Sequence, residues 1–123
     1  MLRTLVVDDE KLARDRLCGF LRGMEDVEVI GEASNGPEAV AMIDDRRPDL
    51  VLLDVQMPGL SGIELTARIR TNPELACIKI VILTSKAQAT DVASGLAAGA
   101  DLYLTKPFSP ISLLQYVEQS LGV

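Results

Sequence analysis

Residues 49–59 read Asp49-Leu50-Val51-Leu52-Leu53-Asp54-Val55-Gln56-Met57-Pro58-Gly59, with four consecutive apolar residues between two aspartates. Pro48 precedes this run and a Met-Pro-Gly turn follows it, so the apolar segment is bounded on both sides. Such a run predicts a parallel strand that is covered on both faces. Ligands bind beyond the carboxyl ends of the strands in open α/β sheets, which places Asp54 where a ligand would bind. A solvated aspartate that starts a turn explains this stretch equally well. The residues at the ends of the other strands distinguish a ligand site from such a turn.

The size and composition of the chain are those of a single globular domain. The chain has 123 residues, of which 48% are apolar and 24% are charged. A chain of this length can bury one hydrophobic core. No linker rich in Pro, Gly or Ser and no low-complexity tract divides it, so we expect one domain over residues 1–123.

Charge and cysteine content narrow the class of protein. The formal net charge of −6 opposes nucleic-acid phosphates and anionic membranes, so we expect this domain to bind neither directly. The apolar run after Met1 is too short for a signal peptide, and no run approaches the length of a membrane span, which predicts a cytoplasmic protein. Cys18 and Cys77 lie far apart in a chain without histidine, which fits neither a zinc site nor a disulfide scaffold. Two reduced, mostly structural thiols are the favoured interpretation.

Strands and helices are predicted to alternate along the whole chain. Five strands are predicted, at Thr4–Val7, Val27–Ile30, Leu50–Leu53, Ile78–Leu83 and Asp101–Leu104. A helix follows each strand: the first carries apolar residues from Ala13 to Met24, the second runs from Ser34–Glu38 to near Arg46–Pro48, the third from Ser61-Gly62 to Asn72-Pro73, the fourth from Gln88 to Ala98, and the fifth starts at Ser109-Pro110. The fourth helix has only Val92 and Leu96 as large apolar anchors and should be weakly held, whereas the fifth should bury Leu113, Leu114, Val117 and Leu121. Strict alternation with short connections predicts an α/β fold with a doubly wound, five-stranded parallel sheet.

Polar side chains follow four of these strands at the same edge of the predicted sheet. They are Asp8-Asp9, Asp54, Thr84-Ser85 and Lys106. Two carboxylates about 5 Å apart repel by roughly 3 kcal/mol at an effective dielectric near 20, so three of them need a positive partner. Lys106 supplies one charge, and a hard divalent cation with oxygen ligands supplies the rest; Mg²⁺ or Mn²⁺ is favoured over zinc because no histidine or nearby cysteine is available.

A carboxylate, a cation, a lysine and a hydroxyl together predict a phosphoryl-accepting site. Asp54 would attack phosphorus in line and become an aspartyl phosphate, while Thr84, Lys106 and a backbone N–H would bind the phosphoryl oxygens.

Four motifs, taken together, resemble the receiver domains of two-component response regulators over the whole chain. They are Val6-Val7-Asp8-Asp9-Glu10, residues 53–59, Leu83-Thr84-Ser85 and residues 99–108. The resemblance implies a flavodoxin-like (βα)5 fold with strand order 2-1-3-4-5. It also implies a signalling switch, rather than a conventional enzyme, that takes a phosphoryl group from a phosphohistidine of a sensor kinase or phosphotransfer protein.

The resemblance assigns a role to individual residues. Asp9, Asp54 and the backbone carbonyl of Gln56 would ligate Mg²⁺, with Asp8 helping through a water, and the backbone of Ser85 would bind the phosphoryl group. Phosphorylation would draw Thr84 towards the phosphate and turn Tyr103 inward, which would remodel the surface formed by the fourth helix, fifth strand and fifth helix.

Gln56 and Lys86 are two positions where this sequence has its own character. Each lies two residues beyond a site residue. The resemblance to receivers implies that these two positions border the path of the water that would hydrolyse the phosphoryl group. We hypothesise that Gln56 orders or obstructs that water and that Lys86 pairs with Glu10 or with an acid on the partner, which would tune the phosphoryl lifetime. Two solvated side chains are the equally open alternative.

Three other classes of protein are alternatives to a working receiver. A phosphatase of the haloacid dehalogenase type needs a second aspartate two residues after its nucleophile, where this chain has Gln56. A flavodoxin-like nucleotide binder needs a phosphate loop after the first strand, where Asp8 and Asp9 would repel the phosphate. A degenerate receiver that only docks proteins remains the alternative function, which the intact set of site residues argues against.

The chain could be a stand-alone shuttle or a receiver cut from a longer regulator, and the segment from Asp9 to Arg14 looks similar to receivers joined to DNA-binding domains. A phosphorylation-dependent homodimer through the last helix is compatible with the sequence.

Overall fold

The computed structural model describes residues 2–54, 62–84 and 96–105, together with 113, 115–116 and 119 in the C-terminal segment. The side chains of Thr84 and Thr105 lie outside this description. Five strands are observed: β1 Leu2–Val7, β2 Val27–Ala33, β3 Leu50–Asp54, β4 Lys79–Thr84 and β5 Leu102–Thr105. Three α-helices are described in full, α1 Lys11–Arg22, α2 Gly36–Arg46 and α3 Gly62–Arg70, and a 3₁₀ turn at Pro73–Leu75 follows α3. Within these residues, no helix is both long and apolar enough to cross a membrane.

The strands form one parallel sheet in the order β2-β1-β3-β4-β5. The predicted fold class and strand order are therefore confirmed. β1 and β3 lie inside the sheet, which explains why their side chains are almost all buried and apolar. The register between β1 and β2 shifts between Thr4 and Leu5, the one irregularity recorded in the pairing of these strands.

Several element boundaries differ from the predicted ones for local reasons. β2 continues three residues past Ile30 to Ala33, because Leu5, Val6 and Val7 of β1 pair with this extension. Gly31 weakens the strand pattern in the sequence, but pairing with β1 overrides that preference. α2 begins as predicted: the side chain of Asn35 accepts a hydrogen bond from the N–H of Glu38 at 2.8 Å, and a proline occupies the first turn.

The sheet separates two apolar layers. The α2–α3 layer consists of Leu5, Val7, Ala33, Ala39, Ile43, Val51, Leu53, Leu65, Ile69, Leu75, Ile78, Ile80, Ile82 and Ala100. The α1 layer consists of Leu2, Val6, Leu17, Cys18, Leu21, Val27, Leu50, Leu52, Val81, Leu83 and Leu113. Neighbouring residues of a strand belong to opposite layers, as the two-residue period of a strand requires.

Three predictions about buried residues have different outcomes. Leu113 is fully buried, as expected for the fifth helix. The prediction that Leu96 anchors the fourth helix is wrong, because this residue, near the end of that segment, is 47% exposed. Cys77 is exposed and so is not a structural thiol, whereas Cys18 is buried; both are free. The predicted partners Val92, Leu114, Val117 and Leu121 lie outside the described residues.

Arg70 joins the end of α3 to the starts of β4 and β5. Its Nε donates to the carbonyl of Gly99 at 2.8 Å, its Nη1 to the carbonyl of Ile78 at 2.7 Å, and its Nη2 to Oδ2 of Asp101 at 2.8 Å. The same carboxylate oxygen accepts the backbone N–H of Ile80 at 2.8 Å. Asp101 was predicted to open the last strand, but it lies before β5 and acts through its side chain. We call Arg70, Gly99 and Asp101 the Arg70 cluster.

Candidate functional site

The carboxyl ends of the parallel strands bring the predicted site residues to one edge of the sheet. Asp8 and Asp9 follow β1 directly, Asp54 is the last residue of β3, and Thr84 is the last residue of β4. Asp54 pairs in register with Leu83, so Thr84 lies one residue further along the neighbouring strand. This order results from the parallel topology, because every strand ends at the same edge.

Asp8, Asp9 and Asp54 form a compact acidic cluster. One carboxylate oxygen from each lies within 4.8 Å of the others. Asp8 is only 5% exposed, Asp54 is partly buried and Asp9 is exposed. Carboxylates at this separation repel by about 3 kcal/mol per pair at an effective dielectric near 20, an upper figure for a site that is partly open to water. The three acids that the strand-end argument grouped together are therefore close enough to share one cation.

Hydrogen bonds fix the buried member of this cluster. The N–H of Asp8 donates to the carbonyl of Ala33 at 3.0 Å, which extends the pairing of β1 with β2 by one residue. Oδ1 of Asp8 accepts the backbone N–H of Glu10 at 2.9 Å. This second bond closes a tight turn at the start of α1, a local pattern that aspartate favours. The side chain of Asp8 is therefore held by its own turn.

Arg14 also belongs to this site, although the sequence analysis did not identify it. Its Nη1 donates to the carbonyl of Asp8 at 2.6 Å, and its Nε lies 3.5 Å from Oε1 of Glu32 on β2. The Arg14 side chain is 15% exposed. An arginine in the second turn of a helix is usually a solvated cation, and only the sheet order, which places β2 beside β1, could have indicated this contact.

The donor set of the acidic cluster fits a hard divalent cation. All its side-chain ligands are carboxylate oxygens, and the chain contains no histidine. Ligands of octahedral Mg²⁺ lie roughly 3.0 Å apart when they are neighbours and roughly 4.2 Å apart when they are opposite, given bonds of about 2.1 Å, so the oxygens of this cluster, within 4.8 Å of one another, would have to converge to bind one ion. Zinc sites favour nitrogen or sulfur ligands, whereas the chain has no histidine and neither of its two cysteines belongs to this cluster.

Other predicted site residues are only partly covered by the structure. Gln56, Ser85, Lys86 and Lys106 lie outside the described residues, and so does the Thr84 side chain. Their roles stay predictions, as does the pairing of Lys86 with Glu10. Tyr103, the predicted switch aromatic, lies on β5 next to Ile82, is partly buried and packs against the α2–α3 layer.

Comparison with known proteins identifies the architecture around this cluster. A family model described as the response regulator receiver domain matches residues 4–118. The chain belongs to this family. As a receiver domain it is 44% identical over 110 residues to the phosphate regulon transcriptional regulatory protein PhoB of Pseudomonas aeruginosa, an alignment that covers 89% of this chain and 47% of PhoB.

A second relative and a solved structure agree with this assignment. The receiver is 41% identical over 120 residues to the DNA-binding response regulator MtrA of Mycobacterium tuberculosis, with 97% of this chain and 50% of MtrA covered. The solved chemotaxis response regulator CheY4 of Vibrio cholerae superposes with a TM-score of 0.83 at 32% identity, with 98% of each chain covered. The receiver therefore spans about half the length of the curated relatives it matches.

Proposed function

We propose that this receiver accepts a phosphoryl group on Asp54 from a phosphohistidine of a sensor kinase or of a histidine phosphotransfer protein. The observation that carries this proposal is the acidic cluster of Asp8, Asp9 and Asp54 at the carboxyl edge of a receiver sheet. A carboxylate oxygen of Asp54 forms the new bond to phosphorus, and the bond from phosphorus to the histidine nitrogen breaks. The imidazole leaves with the bonding electron pair and takes up a proton. The domain thereby catalyses its own modification and acts as a switch.

Each site residue has a defined task in this proposal. Asp9, Asp54 and the carbonyl of Gln56 would hold Mg²⁺, or Mn²⁺ in its place, and Asp8 would contribute through a water. A divalent cation held there would supply positive charge that offsets the negative charge on the phosphoryl oxygens and carboxylates. Lys106, the Thr84 hydroxyl and the Ser85 backbone N–H bind the remaining phosphoryl oxygens.

The phosphorylated state regulates a partner through the surface around β5. Movement of Thr84 towards the phosphate, with reorientation of Tyr103, alters the face formed by β5 and its flanking helices. Leu96, in the segment before β5, is 47% exposed, so this side chain has little apolar contact to lose when that segment shifts. Gln56 and Lys86 tune the phosphoryl lifetime.

We further propose that the readout occurs in an attached output domain or a downstream protein in the cytoplasm. DNA binding, where it occurs, belongs to such an output domain, because the receiver itself carries a formal charge of −6. Phosphorylation-dependent homodimerisation through the last helix is one route by which the receiver would control it.

The test is incubation of the protein with acetyl phosphate and Mg²⁺, followed by intact-mass spectrometry. One added phosphoryl group is expected on the wild type and none on Asp54→Asn. Asp45→Asn is the matched control, since Asp45 is an exposed aspartate on α2 outside the cluster. An adduct that persists in Asp54→Asn would refute the assigned acceptor.

A second measurement separates a working receiver from a degenerate one that only docks proteins. Beryllofluoride with Mg²⁺ mimics the aspartyl phosphate. Its binding to the wild type should therefore shift the NMR signals of Tyr103 and its neighbours. A protein that folds but forms neither the phosphoryl adduct nor the beryllofluoride complex would be a docking module.

A further inference from the structure

Arg14 contacts the acidic cluster through the backbone carbonyl of Asp8. Its guanidinium bridges the carbonyl of Asp8 at 2.6 Å and Oε1 of Glu32 at 3.5 Å, so it ties the turn after β1 to β2. The backbone N–H of Arg14 donates to the carbonyl of Glu10, just before α1, at 3.1 Å. At 15% side-chain exposure this arginine is largely withdrawn from water, so the contacts are held in one geometry.

The carbonyl that Arg14 binds belongs to the peptide group joining Asp8 to Asp9. A peptide group is planar, so fixing its oxygen restrains the rotation on either side of it, at Asp8 and at Asp9. The buried Asp8 is already held by Ala33 and by Glu10. Asp9 is exposed, and the direction of its carboxylate depends on this peptide plane. Arg14 therefore restrains the turn that presents the most exposed acid of the cluster.

The charge of Arg14 by itself would act in the opposite direction. A guanidinium beside a cation site repels the cation, and the carboxylate of Glu32 offsets that charge. Removal of the arginine would lower the local positive charge and leave Glu32 uncompensated, and both changes attract a cation more strongly. Positioning and electrostatics thus predict opposite signs for the same substitution.

We propose that Arg14 is a positioning residue for the cation site, which acts by fixing the Asp8–Asp9 peptide group so that both carboxylates point to one place. This inference rests on the proposed function, because it assigns Arg14 a task towards Mg²⁺. Without this restraint the three aspartates remain at the ends of their strands, but their carboxylates no longer keep fixed directions relative to one another. We expect Arg14→Met to bind Mg²⁺ about tenfold more weakly, the size of effect that residues supporting metal ligands commonly have.

The experiment is calorimetric titration of the metal-free protein with MgCl₂, on Arg14→Met and on Arg14→Lys. Arg14→Lys should bind two- to threefold more weakly than the wild type, because an ammonium can bond to the Asp8 carbonyl but cannot also reproduce the fork towards Glu32. Arg16→Met is the matched control: it removes one positive charge from an exposed position on the same helix. In acetyl phosphate assays, the Mg²⁺ concentration for half-maximal rate should rise more than the maximal rate falls.

The possible outcomes separate this inference from the proposed function. Weaker Mg²⁺ binding by Arg14→Met than by Arg16→Met, with both variants folded at the assay temperature, supports positioning. Unchanged or tighter binding by Arg14→Met, in a wild type that binds Mg²⁺ and accepts phosphoryl, overturns the role of Arg14 alone. If Arg14→Met does not fold, Arg14→Gln is titrated in its place, and an affinity equal to or tighter than that of the wild type overturns the inference. A wild type that binds no Mg²⁺ and takes no phosphoryl group overturns the proposed function and this inference with it.

Discussion

Substitution of Asp101 by alanine should destabilise the domain far more than its surface position suggests. One carboxylate oxygen accepts two bonds at 2.8 Å, from Nη2 of Arg70 and from the backbone N–H of Ile80. The side chains of Arg70 and Asp101 are 21% and 32% exposed, so screening reduces their ion pair to about 0.5–1 kcal/mol. Ile80 is fully buried, and an unsatisfied N–H there costs about 1–3 kcal/mol. We therefore expect Asp101→Ala to lose about 2–3 kcal/mol of the free energy of unfolding.

Urea and thermal unfolding followed by circular dichroism measure this loss. For a domain of this size the midpoint temperature should fall by about 10 °C. Asp101→Asn keeps an acceptor for the Ile80 N–H and removes only the charge, so it should lose about 1 kcal/mol. Glu74→Ala is the matched control: its ion pair with Arg47 has a similar distance of 3.2 Å, but the side chains are 74% and 44% exposed, and the loss should stay under about 0.5 kcal/mol. An Asp101→Ala variant no less stable than Glu74→Ala would show that the buried N–H reasoning is wrong.

Three further outcomes are expected from other parts of the fold. Gly99→Ala should lose about 2 kcal/mol in urea unfolding, because φ at this residue is +113° and the added Cβ would lie 2.5 Å from Cγ of Arg70; full stability would contradict it. Asn35→Ala removes the side-chain cap of α2 and should lose about 1 kcal/mol in the same assay, and a change near zero would mean that the cap contributes nothing. In thiol labelling of the native protein, Cys77 should react at once, whereas Cys18 should react only after urea unfolding. The reason is that burial, followed by the nearby Glu32 carboxylate, raises the pKa of the Cys18 thiol. Rapid reaction of two thiols before unfolding would refute this prediction.

The sheet was predictable because its signals are local and repeated. Each interior strand is a short apolar run bounded by turn residues, and strict alternation with helices leaves few topologies. The extension of β2 to Ala33 was not predictable from β2 alone, since it depends on pairing with β1 across Gly31. The exposure of Leu96 was missed for a related reason: spacing indicates which residues share a helix face, but not whether another element covers that face.

The acidic cluster was predictable and its supports were not. Asp8, Asp9 and Asp54 follow from the rule that parallel strands end at one edge. Arg14 and Arg70 act on main-chain carbonyls of residues distant in the sequence or across a turn, and no residue type or spacing marks such contacts. The sequence alone assigned neither residue a role. The sequence therefore indicates which groups do the chemistry, and only the packed structure indicates which groups hold them.

Among the residues that the structure describes, the central sheet divides the interior into two compartments that do not share buried side chains. Cys18 and Leu21 face one compartment from α1, whereas Ile43 and Leu65 face the other from α2 and α3. Substitutions drawn from opposite compartments should therefore add in their effects on stability, while pairs within one compartment should not. During divergence, the α1 side could be repacked to suit a new partner while the opposite side kept its side chains, which would let related receivers differ widely in sequence around an unchanged set of strand-end acids.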